Sequence, residues 1–304
     1  MSIAQKTFRL NDDTAIPAVG FGTYLVTPAD APQAVSTAIG LGYRHVDTAA
    51  VYQNEEAVGA GIHAGLQASG LNRRDLFVTT KLWPGFSAWS EEPKSQSQTM
   101  AAFEESLAKL GLDYLDLYLI HSPQGGQARL DQWRALVELK RAGKVRSIGV
   151  SNYSRKHLEE IRAAGLPTPE ANQIELHPWS QKPELVAYLR EQGIAPIAYS
   201  SLAPLSTWRT QPGQDSRKAA AGKDDGPVFA DMAAKYGVTE AQLLLHWGVQ
   251  NGYAVLPKSL NPQRMCQNID LDGFVIDAPD MALIRTLDRG DGIAWSMGDP
   301  SLAD

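Results

Sequence analysis

Along this chain short apolar runs alternate with longer stretches in which apolar residues recur every three or four positions. Eight runs stand out, at 18–22, 45–49, 76–82, 114–121, 145–151, 171–176, 195–200 and 254–258. Most are apolar at consecutive positions, as strands covered on both faces are. The stretches between them have the period of amphipathic helices. In 54–69, Val58, Ile62 and Leu66 fall on one face, with Asn54 at the capping position, Glu55 and Glu56 in the first turn and Gly70 past the end. In 99–110, Phe103, Leu107 and Leu110 share a face before Gly111, and in 131–142 Trp133, Leu136 and Val137 do so before Gly143. Segments 158–164, 183–191 and 228–236 continue the rhythm, and Pro262 after Asn261 opens another helix.

Alternation of this kind implies parallel strands joined by right-handed crossovers. At 304 residues the predicted solution is a single α/β domain over 1–304, a closed (β/α)8 TIM barrel with extended loops. An open doubly wound sheet is the competitor. Its dinucleotide fingerprint begins at Gly20-Phe21-Gly22 but has Leu25 where the third glycine belongs, which removes that reading's main support. Residues 7–16 are expected to form a small hairpin, turning at Asn11-Asp12-Asp13 and plugging the barrel bottom. Segment 202–227 holds Pro204, Pro212, Gly213, Gly222, Gly226 and Pro227, and a loop of that length is usually functional or disordered. The tail after Leu287 has no helical period.

Composition changes this picture little. Apolar residues are 43% and charged residues 20% of the chain, ordinary globular usage. A net charge of -6 gives no overall attraction to nucleic acid or an anionic membrane, so a bound anion needs a local positive site. The single cysteine, Cys266, allows no internal disulfide and fits a reducing compartment. The first residues show no signal-peptide core and no run of about 18 apolar residues occurs, so a cytoplasmic protein is expected.

Polar residues recur where the predicted strands end. Asp47, Lys81 and His121 close successive runs, Ser151 and Asn152 the next, Gln173 lies within another, and Tyr199 and Lys258-Ser259 close the last two. Tyr52 follows Asp47 in the adjoining loop. Taken singly, Asp47 could cap a turn, Tyr52 could be a packed aromatic and Lys81 a solvated strand end. Together they supply an acid, a base, a cation and amides at one end of a barrel, where such folds carry their chemistry. Carbonyl reduction needs that set. Hydride addition places negative charge on oxygen and calls for a proton donor. A phenol near pKa 10 is a weak acid, a neighbouring ammonium is expected to lower that value, and a carboxylate keeps the ammonium charged. An imidazole can donate to the carbonyl oxygen. Hydride itself must come from a cofactor. No His/Cys/Asp cluster has metal spacing, and no Walker loop or nucleophile elbow occurs.

Three ordered segments carry a family resemblance: 42–59, GYRHVDTAAVYQNEEAVG; 146–153, RSIGVSNY; and 256–268, LPKSLNPQRMCQN. With these the chain resembles the aldo-keto reductases, bacterial-type members such as diketo-gluconate or aldehyde reductases, over nearly its whole length. The resemblance implies Tyr52 as general acid, Lys81 and Asp47 tuning it, and His121 orienting the carbonyl. It implies NADPH as cofactor, with Thr23, Asp47, Ser151, Asn152 and Gln173 about the nicotinamide, and Tyr199 stacked on the ring. Ser200, Leu202 and the following loop would cover the pyrophosphate. Lys258, Ser259, Leu260 and Arg264 would hold the 2′-phosphate, and Gln267 and Asn268 the adenine. The phosphate site also has a physical basis, because Arg264 lies in the first turn of the helix opening at Pro262, where N–H groups and the dipole favour an anion. Tyr24, Tyr52, Trp83 and His121 would line the substrate pocket.

The sequence departs from the family at three places, the first two of which bear on substrate. Ser122-Pro123 follows His121 where Trp-Pro is common, Tyr24 stands for a frequent Trp, and Gln267 replaces a frequent Glu. The segment SPQGGQARLDQW after His121 is short, which suggests an open pocket. Trp89 is a further wall candidate, and Trp208 or Trp295 could close over substrate. His63, His157 and His246 are expected on helices, while His45 and His177 receive no role. The partner is a small carbonyl compound and the resemblance implies a monomer. The alternative is a non-catalytic NADP(H) sensor or structural protein on the same barrel; a barrel hydrolase would need carboxylate pairs or a metal that the sequence lacks.

Overall fold

The computed structural model describes residues 2–205, 227–290, 294–295 and 299–303. Its frame is a sheet of eight parallel strands hydrogen-bonded in chain order. They are β3 (Phe21–Gly22), β4 (His45–Asp47), β5 (Phe77–Leu82), β6 (Leu115–Ile120), β7 (Val145–Ser151), β8 (Ala171–Glu175), β9 (Ala195–Tyr199) and β10 (Ala254–Val255). The two edges of this sheet meet. Val19 bridges Val255 in parallel, the Gly20 N–H donates to Val255 O at 2.8 Å, and the Val255 N–H donates to Ala18 O at 2.9 Å. The barrel is therefore closed, as the alternation predicted.

Gly20 and Gly22, which opened the incomplete nucleotide fingerprint, serve this closure instead. A Cβ at Gly22 would stand 2.9 Å from Leu256 O, and one at Gly20 would stand 2.5 Å from the ring of His45 inside the barrel. Only glycine lets the edges approach.

Side chains alternate along each strand. Leu117 and Leu119 point inward, joining Phe77, Ala171, Ile197, Ala254 and Leu256, while Tyr118 points outward among the helices. The inner cluster is capped from below by Leu10 and Ile16. These belong to the hairpin of β1 (Thr7–Arg9) and β2 (Ala15–Pro17), antiparallel with Phe8 opposite Ile16. The expected plug is present.

The helices are α1 (Ala31–Gly40), α2 (Glu55–Ser69), α3 (Gln96–Leu110), α4 (Arg129–Arg141), α5 (Arg155–Ala163), α6 (Pro183–Glu191), α7 (Val228–Tyr236), α8 (Glu240–Gln250), α9 (Pro262–Ile269) and α10 (Ala278–Thr286). Two match the predicted bounds, α6 and α7. Helix α3 starts three residues before the predicted position 99, because Ser95 and Gln98 form a reciprocal capping box. Helices α4 and α5 likewise begin earlier than predicted, and α1, α8 and α10 were not predicted at all. Asn54 does precede α2, but its side chain caps nothing. It donates to the carbonyls of Thr23 and Val26, each at 3.0 Å, and so ties the β3–α1 connection to the next strand end.

Of the long segment 202–227, positions 206–226, including Trp208, lie outside the described residues, and with them most of its expected cofactor-covering role. No described helix is long and apolar enough to cross a membrane.

Candidate active site

The carboxyl ends of neighbouring strands bring Asp47, Lys81 and His121 together, as they must in a closed parallel barrel. Lys81 is fully buried, and its Nζ donates to Asp47 Oδ1 at 2.5 Å and to Thr48 O at 2.8 Å. Tyr52 lies in a 3-10 turn (Ala50–Tyr52) just past β4, which carries its hydroxyl to 3.5 Å from Lys81 Nζ. The Tyr52 and His121 rings meet edge to face with centroids 5.5 Å apart. Asp47 therefore caps no turn; its second oxygen accepts Gln173 Nε2–H at 2.8 Å.

The electrostatics correct one expectation. The pull of the Lys81 ammonium does not prevail at the Tyr52 phenol. Burial, the Asp47 charge and Tyr24 push it well above its ordinary 10. The ammonium charge is directed at Asp47, whose carboxylate offsets it at the phenol. Burial also lowers Lys81, against the pull of Asp47 and Glu55. His121 is held well below 6.5, first by burial and then by Lys81, so its ring is neutral at neutral pH. Its Nδ1 is buried with no hydrogen-bond partner among the described residues. The arrangement thus offers a protonated phenol and a neutral imidazole beside a shielded cation.

A second group adjoins the first. Ser151 Oγ donates to Gln173 O at 2.8 Å, and Asn152 Nδ2 donates to His121 O at 3.0 Å and to Ser151 Oγ at 3.1 Å. Tyr199 Oη donates to Asn152 Oδ1 at 2.6 Å. Asn152 has φ 63° and Ser200 φ 55°. Left-handed backbone at two non-glycine strand ends is the kind of strain that clusters at functional sites. Thr23 is buried and its hydroxyl donates to Asp47 O at 3.0 Å. Leu202 is half-buried against the core. This set of hydroxyls and amides around one phenol suits a planar carboxamide-bearing ring.

Farther along the rim, Asn261 caps α9 by accepting the Arg264 N–H at 3.1 Å. Lys258, Leu260 and Arg264 are exposed there, Gln267 is half-buried, and Ser259 and Asn268 are buried. Two exposed cations beside a helix N-terminus form a local positive patch, the kind of surface that could hold an anion on an acidic protein.

Aromatic residues form the outer wall. Tyr24, 45% exposed, packs on Tyr52 at 5.1 Å between ring centroids. Trp83 meets His121 at 5.8 Å and stacks on Trp89 at 5.3 Å. Trp83 Nε1 also donates to Glu91, a partner not foreseen. Trp295 from the tail meets His121 at 6.2 Å and donates from Nε1 to Tyr199 Oη at 2.9 Å. Sequence reasoning missed Glu175 and left His177 without a role; they form a buried pair at 2.8 Å at the end of β8. Of the other histidines, His45 hydrogen-bonds Thr79 Oγ1 inside the barrel at 2.9 Å. Among the described residues no group of three or more His, Cys, Asp or Glu could hold a metal ion.

The match to known proteins covers the barrel. The model of the Aldo/keto reductase family matches residues 18–289. An uncharacterized oxidoreductase, YtbE, of Bacillus subtilis (strain 168) is 40% identical over 286 residues, covering 94% of each chain. A glyoxal reductase of the same organism is 38% identical over 290 residues, covering 95% of each. The crystal structure of a Bombyx mori aldo-keto reductase in complex with NADP superposes with a TM-score of 0.84 at 36% identity, covering 94% of each chain. This chain belongs to the aldo/keto reductase family.

Proposed function

We propose that the chain reduces the carbonyl group of a small aldehyde or ketone, with NADPH as hydride donor and Tyr52 as proton donor. The observation that carries this reading is the placement of the Tyr52 hydroxyl 3.5 Å from a fully buried Lys81 that is itself paired with Asp47. When bound, the nicotinamide supplies the hydride. Ser151, Asn152 and Gln173 would hold its carboxamide, Tyr199 its ring, and Lys258, Ser259 and Arg264 the 2′-phosphate.

This chain's own residues then account for the proton. The raised phenol keeps Tyr52 protonated before reaction. As negative charge grows on the carbonyl oxygen, the proton moves from Tyr52 Oη to that oxygen. The phenolate left behind gains attraction to Lys81, which was of little use to the neutral phenol. Neutral His121 retains one ring N–H with which to orient the carbonyl. Tyr24, Trp83 and Trp295 exclude water from one side, which strengthens these interactions.

Two measurements test the reading. Tyr52→Phe should lower turnover of a carbonyl panel by about 10²–10⁴-fold, the range for general acid catalysis, while NADPH affinity stays unchanged. Retained turnover in that variant would remove Tyr52 as the acid. In a titration NADPH should bind more tightly than NADH, and Arg264→Leu should remove about tenfold of that difference, the worth of one charge-assisted contact. Equal affinity for both nucleotides in the native protein would refute the phosphate site.

A further inference from the structure

Glu175 ends β8 beside the site yet touches none of the residues given a chemical role above through its described hydrogen bonds. Its side chain is only 4% exposed. The carboxylate accepts the Ala294 N–H on both oxygens, at 3.1 Å and 3.0 Å, and His177 Nε2 lies 2.8 Å from Oε1. His177 Nδ1 in turn accepts the Trp179 N–H at 3.3 Å, which leaves the ring proton on Nε2, pointing at Glu175. A buried carboxylate is costly unless several donors reach it. Among the described residues those donors include an imidazole and one amide of the tail.

That amide belongs to the residue before Trp295. The Trp295 indole donates to Tyr199 Oη and its ring stands over His121. The tail at 294–295 is therefore held at two points, on the ends of the neighbouring strands β8 and β9. We propose that Glu175 is a positioning residue for the substrate pocket: it fixes the backbone at Ala294 so that Trp295 stands as the wall over His121. His177 orients Glu175 for this task. An apolar residue at this strand end would leave both the tail N–H and the His177 Nε2 proton unmet. The catalytic consequence rests on the function proposed above, whereas the anchor itself does not.

Amide exchange and steady-state kinetics on the full chain separate the two. In the native protein the Ala294 N–H should be protected from exchange, and Glu175→Ala should speed its exchange at least about tenfold, with other barrel amides little changed. The same variant should raise KM for carbonyl substrates about tenfold, the scale for a lost apolar wall, with kcat and NADPH affinity within about twofold. Glu175→Gln keeps one acceptor oxygen and should recover part of both effects. Ala294→Pro deletes the donated N–H while leaving the Glu175–His177 pair in place, and should raise KM as Glu175→Ala does even if Glu175→Ala folds poorly. Unchanged exchange at Ala294 in Glu175→Ala overturns the anchor. Loss of NADPH affinity, or of kcat at constant KM, overturns the positioning role and assigns Glu175 to the cofactor platform. If the native protein oxidises NADPH with no carbonyl compound, the proposed function fails while the exchange result still decides the anchor.

Discussion

Lys81 and Lys140 each hold carboxylates in place, at opposite ends of one barrel, and their surroundings push them in opposite directions. At the lower end Lys140 Nζ reaches Asp12 Oδ2 and Glu170 Oε1, both at 2.7 Å. Asp12 also accepts from Ser147 Oγ at 2.8 Å and the Thr14 N–H at 3.0 Å, and Glu170 accepts the Ile148 N–H at 2.6 Å. Burial alone would lower Lys140, but two carboxylates together carry it above its ordinary value. Its side chain remains 30% exposed. This cluster fastens the hairpin turn to α4 and β7. At the upper end burial prevails and Lys81 is lowered. It has one carboxylate and one carbonyl close by, and its approach to Tyr52, at 3.5 Å, is loose. The lower cluster is complete as it stands. The upper one has attraction in reserve for a charge that appears only when Tyr52 gives up its proton, which is how binding energy is directed to a transition state.

The largest expected effect tests that reserve. Lys81→Met keeps most of the aliphatic volume and removes the charge. Turnover should fall by about 10²–10⁴-fold, and stability by about 3 kcal/mol, because Asp47 is left buried with Gln173 as its one remaining partner among the described residues. Lys140→Met should show the reverse balance. Turnover should stay within about twofold, while denaturant midpoints report a loss of about 2 kcal/mol, kept below the buried-pair range by partial solvent screening. Comparable loss of turnover in both variants would mean that the two ends are not functionally separate.

Much of this could be read from residue order. A continuous apolar run that ends in a polar residue must deliver that residue to one face of a closed parallel barrel, so Asp47, Lys81, His121 and Ser151 were placed together without coordinates. The hairpin plug was legible from its turn residues. Helix starts were less so, since the capping box at Ser95 lies ahead of the apolar period that marked α3, and Asp30 precedes α1 without any cap bond. The net acidity of Tyr52 was not legible because residue types do not give the burial and the Asp47 charge that outweigh the ammonium. Glu175 was hidden for a different reason. Its partner Ala294 is 119 residues away in a tail with no period, and nothing local relates the two. The same holds for Trp295, which sequence could nominate as a wall but not seat on Tyr199.

The smallest effect concerns the barrel interior between the two ends. His45 is fully buried and pushed down to about 3, first by burial and then by Lys81 above it. Unfolded, it titrates near 6.5. Between those values the unfolded chain holds a proton that the folded chain lacks, so this stability is present in full above about pH 6.5 and declines as pH falls. The slope approaches 1.4 kcal/mol per pH unit for one such group. His121 is lowered too and acts with the same sign, whereas Glu55 and Glu170, raised by burial, act against it at lower pH. All three are shared by the native protein and a His45→Gln variant, so the difference between them isolates His45. Denaturant midpoints from pH 7.5 to pH 5 should fall less steeply for the variant, by about 1 kcal/mol per unit below pH 6. Parallel pH curves for the two proteins would show that His45 takes up its proton while folded, and that the cation above it does not exert its charge through the barrel interior.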